Sequence, residues 1–179
     1  MRILAVCSAN LVRSPVAEAA WQRWADRRGR ADVHVASAGI TAADGMPVPG
    51  EVKVAAADLG LDLSDHRSRV VTPEDLMTSG LVLTMTEDQR TSMQHARPSA
   101  TSRTFTLREF ARLVGGLTAV PRGASLEDVV LLAHRQRARQ ARPDGPEDVN
   151  DVYGGRPKDY ARCAAEIVGL VDSVTSRLP

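Results

Sequence analysis

The stretch V-C-S-A-N-L-V-R-S-P, residues 6–15, decides the fold and points to the chemistry of this chain. It follows a short apolar run at 3–6, which is typical of a central parallel strand buried on both faces. Ser14 is a good N-cap residue and Pro15 suits the first helical position, so a helix is predicted to begin there. The stretch is therefore predicted to connect the first strand to the first helix.

Strands and helices alternate along the rest of the chain. Further strands are predicted at 33–39, 81–83 and 103–106, and helices at 49–59, after Thr72, after Thr86, at 107–114, after Ser125 and from about Pro157. This order favours an α/β fold: a three-layer α/β/α sandwich with a central, mainly parallel four-stranded sheet. The length suits a single domain spanning residues 1–179.

Composition narrows the functional classes. The net charge is only +1, from 23 basic and 22 acidic residues, which gives no general reason to expect nucleic acid or an anionic membrane as partner. Two cysteines are too few for a disulfide framework or a four-cysteine zinc site. The start lacks a secretory-signal pattern, and no apolar run approaches the ~18 residues of a membrane span. We expect a cytoplasmic protein.

The loop after the first strand has the features of an oxyanion site. In open α/β sheets ligands bind at the carboxyl ends of the strands, and successive N–H groups backed by a helix N-terminus can form a nest for an anion. Arg13 adds a fork that can hold two phosphate oxygens, and its charge stabilises a thiolate at Cys7. A C-x5-R spacing alone also fits a buried cysteine without function. The strand before it and the helix after it favour a nucleophile facing a bound phosphate.

At these residues the chain resembles the low-molecular-weight protein tyrosine phosphatase family, whose signature is V-C-x-G-N-x-C-R-S-P after a near-N-terminal strand. The resemblance extends through A-E at 17–18, S-A-G at 37–39, H-R-S-R at 66–69 and L-T-M at 83–85. It covers most of the chain except about 115–145, which is predicted to be an insertion within the single domain.

The resemblance implies a role for each residue of the loop. Cys7 would be the nucleophile and Arg13 the phosphate clamp, while Ser14 would donate a hydrogen bond to the cysteine sulfur. Asn10 would hold the loop in a left-handed turn. The rest of the phosphate-binding loop would consist of Ser8, Ala9, Leu11 and Val12.

Two residues outside the loop are implied to support it. Ser37 and His66 would brace Asn10 from behind. The alternative for His66 is a solvated polar residue in the H-R-S-R turn.

A proton donor for the leaving group is expected late in the chain, because a departing oxygen must be protonated. The family places an aspartate before a proline and an aromatic residue. Here Asp151 stands before Val152 and Tyr153, so Asp151 is the predicted general acid and Tyr153 a wall of the substrate cleft. Asp148 and Asp144 remain competitors, since aspartates in turn-rich segments usually cap or solvate the backbone.

The chain departs from the family pattern at several positions. Ala9 replaces a glycine and would be strained if its φ were positive. Val12 replaces a cysteine, which excludes a protective disulfide with Cys7 through that position. Cys163 is predicted in the core of the last helix, with a resolving thiol as the alternative. The basic run at 134–142 is predicted to be a solvated helix end, with a docking patch for an acidic partner as the alternative.

The resemblance implies a phosphomonoesterase that acts on phosphotyrosyl proteins and aryl phosphates through a cysteinyl-phosphate intermediate. No metal and no cofactor are expected, and the ligand of the loop would be phosphate or another oxyanion. Bacterial members often act on autophosphorylated tyrosine kinases, so such a kinase is a candidate partner. The alternatives are arsenate reduction with a small-molecule thiol and a catalytically weakened phosphate- or phosphotyrosine-binding module.

Overall fold

The sheet at the centre of the molecule is parallel throughout. The computed structural model describes residues 1–178, and its strands are β1 (Arg2–Cys7), β2 (His34–Gly39), β3 (Leu81–Thr84) and β4 (Thr104–Thr106). Their order is β2-β1-β3-β4, so β1 lies between two neighbours. Because all strands run the same way, their carboxyl ends meet at one edge, where Cys7 ends β1.

Helices cover both faces of this sheet. They are α1 (Arg13–Arg27), α2 (Gly50–Ala57), α3 (Pro73–Thr78), α4 (Glu87–Ala96), α5 (Leu107–Gly115), α6 (Leu126–Arg137) and α7 (Pro157–Thr175), with a 3-10 helix at Pro98–Arg103. Side chains alternate between faces along a strand, so Ile3 and Ala5 join the core under α1, α2, α5 and α7, whereas Leu4 and Val6 pack toward α3 and α4. The predicted three-layer sandwich is confirmed. Among residues 1–178, no helix is long and apolar enough to cross a bilayer.

The predicted helix starts are confirmed at Thr72, Thr86 and Ser125, each of which forms a capping box. The predicted N-cap at Ser14 is wrong. Helix α1 begins two residues earlier, with Val12 rather than Ser14 at the N-cap position, and no side chain caps it. Ser14 is turned inward toward the loop instead, which leaves the N-terminal N–H groups of α1 without a side-chain acceptor and able to meet an anion.

The segment at 115–145 contributes α6, which packs on α5 and on the 3-10 helix. That this segment is an insertion stays a prediction. The solvated helix end predicted at 134–142 is wrong in part, because α6 ends at Arg137 and that side chain faces inward. Its guanidinium pairs with buried Glu109 and lies 4.3 Å from the ring centroid of Phe105.

A buried ion-pair cluster ties α3 to the sheet. The carboxylate of Asp75, 3% exposed, lies 2.6 Å from an Arg2 nitrogen and 2.7 Å from an Arg69 nitrogen. It also accepts the N–H of Thr72 in the capping box of α3. Burial alone would raise the pKa of Asp75, but hydrogen bonds from Arg69 and Thr72 outweigh it and hold that pKa below its ordinary value.

The cluster therefore predicts a pH-dependent contribution to stability. A depressed carboxyl pKa stabilises the folded state above the unfolded pKa, and this contribution is lost as pH falls through the folded pKa. We expect Asp75→Asn to lower the free energy of unfolding by about 2 kcal/mol at pH 7, because two half-exposed guanidinium groups lose the buried carboxylate that pairs with them. The difference from the parent should shrink on going to pH 3, as measured by urea unfolding.

Asp128 offers a matched control for this prediction. It holds the same position in the capping box of α6 but is exposed and pairs with no arginine among residues 1–178. Asp128→Asn should cost clearly less stability at pH 7. An equal loss in both variants would show that the cap, and not the ion pairs of Asp75, carries the effect.

Candidate active site

The loop between β1 and α1 wraps around the sulfur of Cys7. Both Cys7 and Ser14 are buried. The backbone N–H of Asn10 points at the sulfur over 3.3 Å, and the Ser14 hydroxyl oxygen lies 3.0 Å from it. Both groups are able to donate a hydrogen bond to the sulfur, so the loop holds the sulfur in a fixed position. The contact that the family resemblance implied between Ser14 and Cys7 is present in the geometry.

Asn10 is the structural centre of the loop. Among residues 1–178 it is the only non-glycine residue with positive φ, at 57°. Its side-chain nitrogen donates to the hydroxyls of Ser37 (2.8 Å) and Ser14 (3.0 Å), and its side-chain oxygen accepts the N–H of Arg69 (3.0 Å). Its carbonyl oxygen lies 3.0 Å from Nε2 of His66. His66 is thus in contact with the loop rather than solvated, and Asn10 is held from every side.

The backbone of the loop shows why alanine is tolerated where the family has glycine. Ala9 does not have positive φ, so its Cβ introduces no strain of the kind considered above. A neighbouring glycine is the constrained one. A Cβ on Gly39, at the end of β2, would lie 2.5 Å from the carbonyl oxygen of Ser8, so only glycine lets β2 approach the loop this closely.

Substitution of Asn10 separates its two contributions. Asn10→Ala loses the side-chain hydrogen bonds and places an alanine in the left-handed region, so we expect a loss of about 3 kcal/mol in the free energy of unfolding. Asn10→Gly loses the same bonds without the backbone penalty and should be about 1 kcal/mol more stable than Asn10→Ala. Urea unfolding of both variants measures the difference. Equal stability of the two would contradict a conformational role for Asn10.

Two supporting residues were missed as functional residues by the sequence analysis. Glu18 accepts a 2.5 Å hydrogen bond from Ser37, and its carboxylate lies 3.7 Å from Nδ1 of His66, so one acid orients both braces of Asn10. Gln89 of α4 is buried and donates to the hydroxyl of Ser8 over 3.0 Å. In the sequence, Glu18 is marked only by the A-E motif at 17–18, and Gln89 only by its position three residues after the N-cap Thr86.

The loop that follows the segment 115–145 carries the predicted acid to the cleft. Arg13, 3% exposed, donates to the carbonyl oxygen of Val149 (3.1 Å) and pairs with the carboxylate of Asp151 (2.5 Å). Asp151 itself is half-exposed. A cleft of about 120 Å³ opens between the two loops and is lined by Cys7, Ala9, Leu11, Val12, Arg13, Asp151 and Tyr153. Sulfur, guanidinium and carboxylate therefore face one small space.

The competing aspartates lie elsewhere. The carboxylate of Asp148 accepts the N–H of Glu87 over 2.8 Å at the start of α4, so it does not face the cleft. It anchors the loop at 146–156, which also carries Asp151 and which we call the acid loop. Asp144 is exposed and does not line the cleft. This geometry favours Asp151 over both alternatives.

Cys163 is buried in α7, as the sequence predicted, with its sulfur 4.0 Å from the carbonyl oxygen of Asn150. Burial raises the pKa of this thiol to about 12. A thiol that stays protonated at neutral pH is a poor nucleophile toward an oxidised cysteine. The alternative of a resolving thiol is therefore not favoured.

Comparison with known proteins agrees with this geometry. A family model described as "Low molecular weight phosphotyrosine protein phosphatase" matches residues 2–121. A probable low molecular weight protein-tyrosine-phosphatase, EpsP, of Ralstonia solanacearum is 36% identical over 107 residues, covering 60% of this chain and 70% of that protein. A protein-arginine-phosphatase of Geobacillus stearothermophilus is 32% identical over 126 residues, covering 70% and 82%.

A solved structure extends the similarity beyond the matched sequence. The crystal structure of a low molecular weight protein tyrosine phosphatase from T. tengcongensis superimposes with a TM-score of 0.75 at 30% identity, covering 99% of both chains. These similar proteins are phosphatases, which does not favour the arsenate reductase or the binding module considered above.

Proposed function

The chain belongs to the low molecular weight phosphotyrosine protein phosphatase family, and from this premise we propose that it hydrolyses phosphotyrosine in proteins through a cysteinyl-phosphate intermediate. One observation carries the proposal: Cys7, Arg13 and Asp151 line the same cleft. A nucleophile, an anion clamp and an acid are the groups that the reaction requires.

In the first step the thiolate of Cys7 attacks the phosphorus of the bound monoester. A P–S bond forms and the P–O bond to the phenol breaks, while Asp151 gives its proton to the departing oxygen. The Arg13 fork and the free N–H groups at the start of α1 hold the phosphate oxygens. A phosphate bound at Arg13 competes with the carboxylate of Asp151 for the guanidinium, and the displaced carboxylate takes up a proton from solvent before it acts as the acid.

In the second step the intermediate is hydrolysed. Asp151, now ionised, accepts a proton from a water molecule as its oxygen attacks phosphorus, and the P–S bond breaks to return the thiolate. The N–H of Asn10 and the hydroxyl of Ser14 can donate to the sulfur as its negative charge returns in this step, which assists its departure.

The cleft lining favours an aromatic substrate over phosphoarginine. Ala9, Leu11 and Val12 present apolar side chains, and Tyr153 adds an exposed ring at the rim. A phenyl ring gains apolar and stacking contacts there. The N–H groups of a phosphoarginine would find Asp151 as the only acidic side chain of the lining. The similar arginine phosphatase makes phosphoarginine the alternative to exclude.

Tyr153 provides a prediction for this substrate class. We expect Tyr153→Ala to raise KM for a phosphotyrosyl peptide by roughly fivefold with little change in kcat, because a stacked ring contributes about 1 kcal/mol to binding. Tyr153→Phe is the matched control, since it keeps the ring and should keep KM. Initial-rate kinetics on both variants give the comparison. A fall in kcat with unchanged KM would place Tyr153 outside substrate binding.

A substrate panel tests the proposal directly. The purified protein should release phosphate from a phosphotyrosyl peptide and from an aryl phosphate. Release from phosphoserine should be much slower, because its short side chain holds the phosphate close to the peptide backbone and does not carry it past the rim to Cys7. Faster release from a phosphoarginine-containing protein would assign the other substrate class. Arsenate-dependent thiol oxidation without phosphate release would contradict phosphatase activity altogether.

The remaining parts of the proposal concern the setting of the enzyme. We propose a single catalytic domain that works in the cytoplasm without metal or cofactor. An autophosphorylated tyrosine kinase is the proposed protein substrate, supported by the similarity to EpsP only at the level of a tyrosine phosphatase. Release of phosphate from such a purified kinase, compared between the parent and Cys7→Ser, tests this partner.

A further inference from the structure

A second cleft, of about 370 Å³, lies away from the loop that holds Cys7. Side chains from α4, α5, α6 and the segment after α6 line it, and none of them is apolar. The charged members of this lining are Arg90, Arg112, Arg137, Arg142, Glu109 and Glu147. We refer to it as the arginine cleft. An apolar ligand would gain little in such a space, so the lining selects for a polar one.

One carboxylate of the arginine cleft serves two guanidinium groups. Glu109, 3% exposed, lies 2.8 Å from Nε of Arg137 and 2.7 Å from a terminal nitrogen of Arg90. One negative charge cannot balance two positive ones. Nε of Arg90 is buried and has no hydrogen-bond partner within residues 1–178. The two guanidinium groups around the single Glu109 carboxylate leave an excess of positive charge beside the cleft, and this excess favours an anion there.

The other two arginines, Arg112 and Arg142, pair with glutamates that contact the acid loop or belong to it. Arg112 holds the carboxylate of Glu147 through two hydrogen bonds, of 2.7 and 3.0 Å. Arg142 pairs with Glu87 at the start of α4, just outside the lining. Because Arg142 is largely exposed, its pair with Glu87 is open to competition from an anion in solution.

We propose that the arginine cleft binds a small phosphorylated anion and that this ligand slows the acid step. Guanidinium forks match phosphate oxygens in pairs, which favours a phosphorylated ligand over a simple carboxylate. The volume of about 370 Å³ exceeds the needs of a single phosphate and falls in the range of small-molecule sites. The ligand class is therefore a diphosphate or an organic phosphate, for which inorganic pyrophosphate is the simplest probe.

A short chain of contacts connects the arginine cleft to the acid. The N–H of Glu147 donates to the Glu87 carboxylate over 3.2 Å, and the N–H of Glu87 donates to Asp148 over 2.8 Å. Asp151 follows three residues later. A phosphate that competes with Glu147 for Arg112 removes one anchor of this loop. The ligand thus binds more tightly to the state in which the acid loop has lost this anchor than to the state in which the loop is held. Such a difference in affinity between two states couples the arginine cleft to Asp151.

Binding is tested by calorimetry with pyrophosphate on the Arg13→Ala protein, in which the active-site clamp is gone. We expect one retained site, weakened roughly tenfold or more by adding Arg142→Gln, since that removes a charged donor. Arg139→Gln is the matched control, because Arg139 is exposed on the same segment and does not line the cleft. Loss of all binding in Arg13→Ala, or equal effects of Arg142→Gln and Arg139→Gln, would overturn the proposal.

Steady-state kinetics test the second part of the proposal, that the ligand slows the acid step. Pyrophosphate competes with substrate at Arg13 in every variant and raises the apparent KM, so a fall in kcat is the signature of the arginine cleft. We expect that fall in the parent and not in Arg142→Gln. Purely competitive inhibition of both proteins would contradict control of the acid step. The calorimetric result does not depend on turnover and stands even if the proposed phosphatase activity fails.

Discussion

Replacing Cys7 by serine is expected to reduce phosphate release from an aryl phosphate by roughly 10⁴-fold or more, because a serine hydroxyl is not ionised at neutral pH in this loop. The isosteric change keeps the neighbours of the sulfur, Asn10 and Ser14, in place. Steady-state release of phosphate measures the effect. The same protein should still bind inorganic phosphate by calorimetry, since Arg13 and the N–H groups of α1 are unchanged.

The chain offers a matched control in its other cysteine. Cys163 is also buried, but its thiol faces the carbonyl oxygen of Asn150 and does not line the cleft. Cys163→Ser should keep most of its turnover. Residual activity of Cys7→Ser near the parent level, or an equal loss in both variants, would exclude Cys7 as the nucleophile.

Replacing Asp151 by asparagine is expected to lower kcat for a phosphotyrosyl peptide by about 10²- to 10³-fold, the usual contribution of a general acid. The loss should be smaller for a p-nitrophenyl ester, because a more acidic phenol leaves with less help.

A second effect of Asp151→Asn follows from the ion pair with Arg13. Asparagine cannot form it, so phosphate no longer displaces a carboxylate and should inhibit the variant at lower concentration.

Asp148→Asn is the control within the same loop. It removes the charge of Asp148 but keeps an oxygen that can accept the N–H of Glu87, so it should cost little stability and much less turnover than Asp151→Asn. If Asp148→Asn showed the larger loss together with the dependence on leaving group, the acid would have to be reassigned. If phosphate inhibited Asp151→Asn no better than the parent, the Arg13–Asp151 pair would not compete with the ligand.

Much of the fold could be predicted because its signals are local. Continuous apolar runs mark buried parallel strands, and capping pairs such as Thr72 with Asp75 mark helix starts, since both depend on residues within a few positions of one another. Ser14 shows the limit of such reasoning. Its propensity as an N-cap was outweighed by the contact with Cys7 and Asn10, which exists only once the loop closes.

What the sequence by itself determined is the composition of the site. Cys7 to Ser14 lie in one short stretch, so their chemistry could be predicted from the spacing together with the strand before it and the helix after it, and the same stretch indicated the family. The choice of Asp151 over Asp148 came from one aromatic neighbour, and only the tertiary structure shows that Asp148 caps α4 while Asp151 meets Arg13.

Only the tertiary structure decided the partners that lie far apart in the chain. Glu18 and Gln89 support the loop, and the arginine cleft gathers side chains from α4, α5, α6 and the segment that follows, through contacts that no local pattern encodes. The physical reason is that burial sets the importance of a charged side chain. Glu109 and Arg137 look like surface residues until packing removes them from water and makes each the partner of the other.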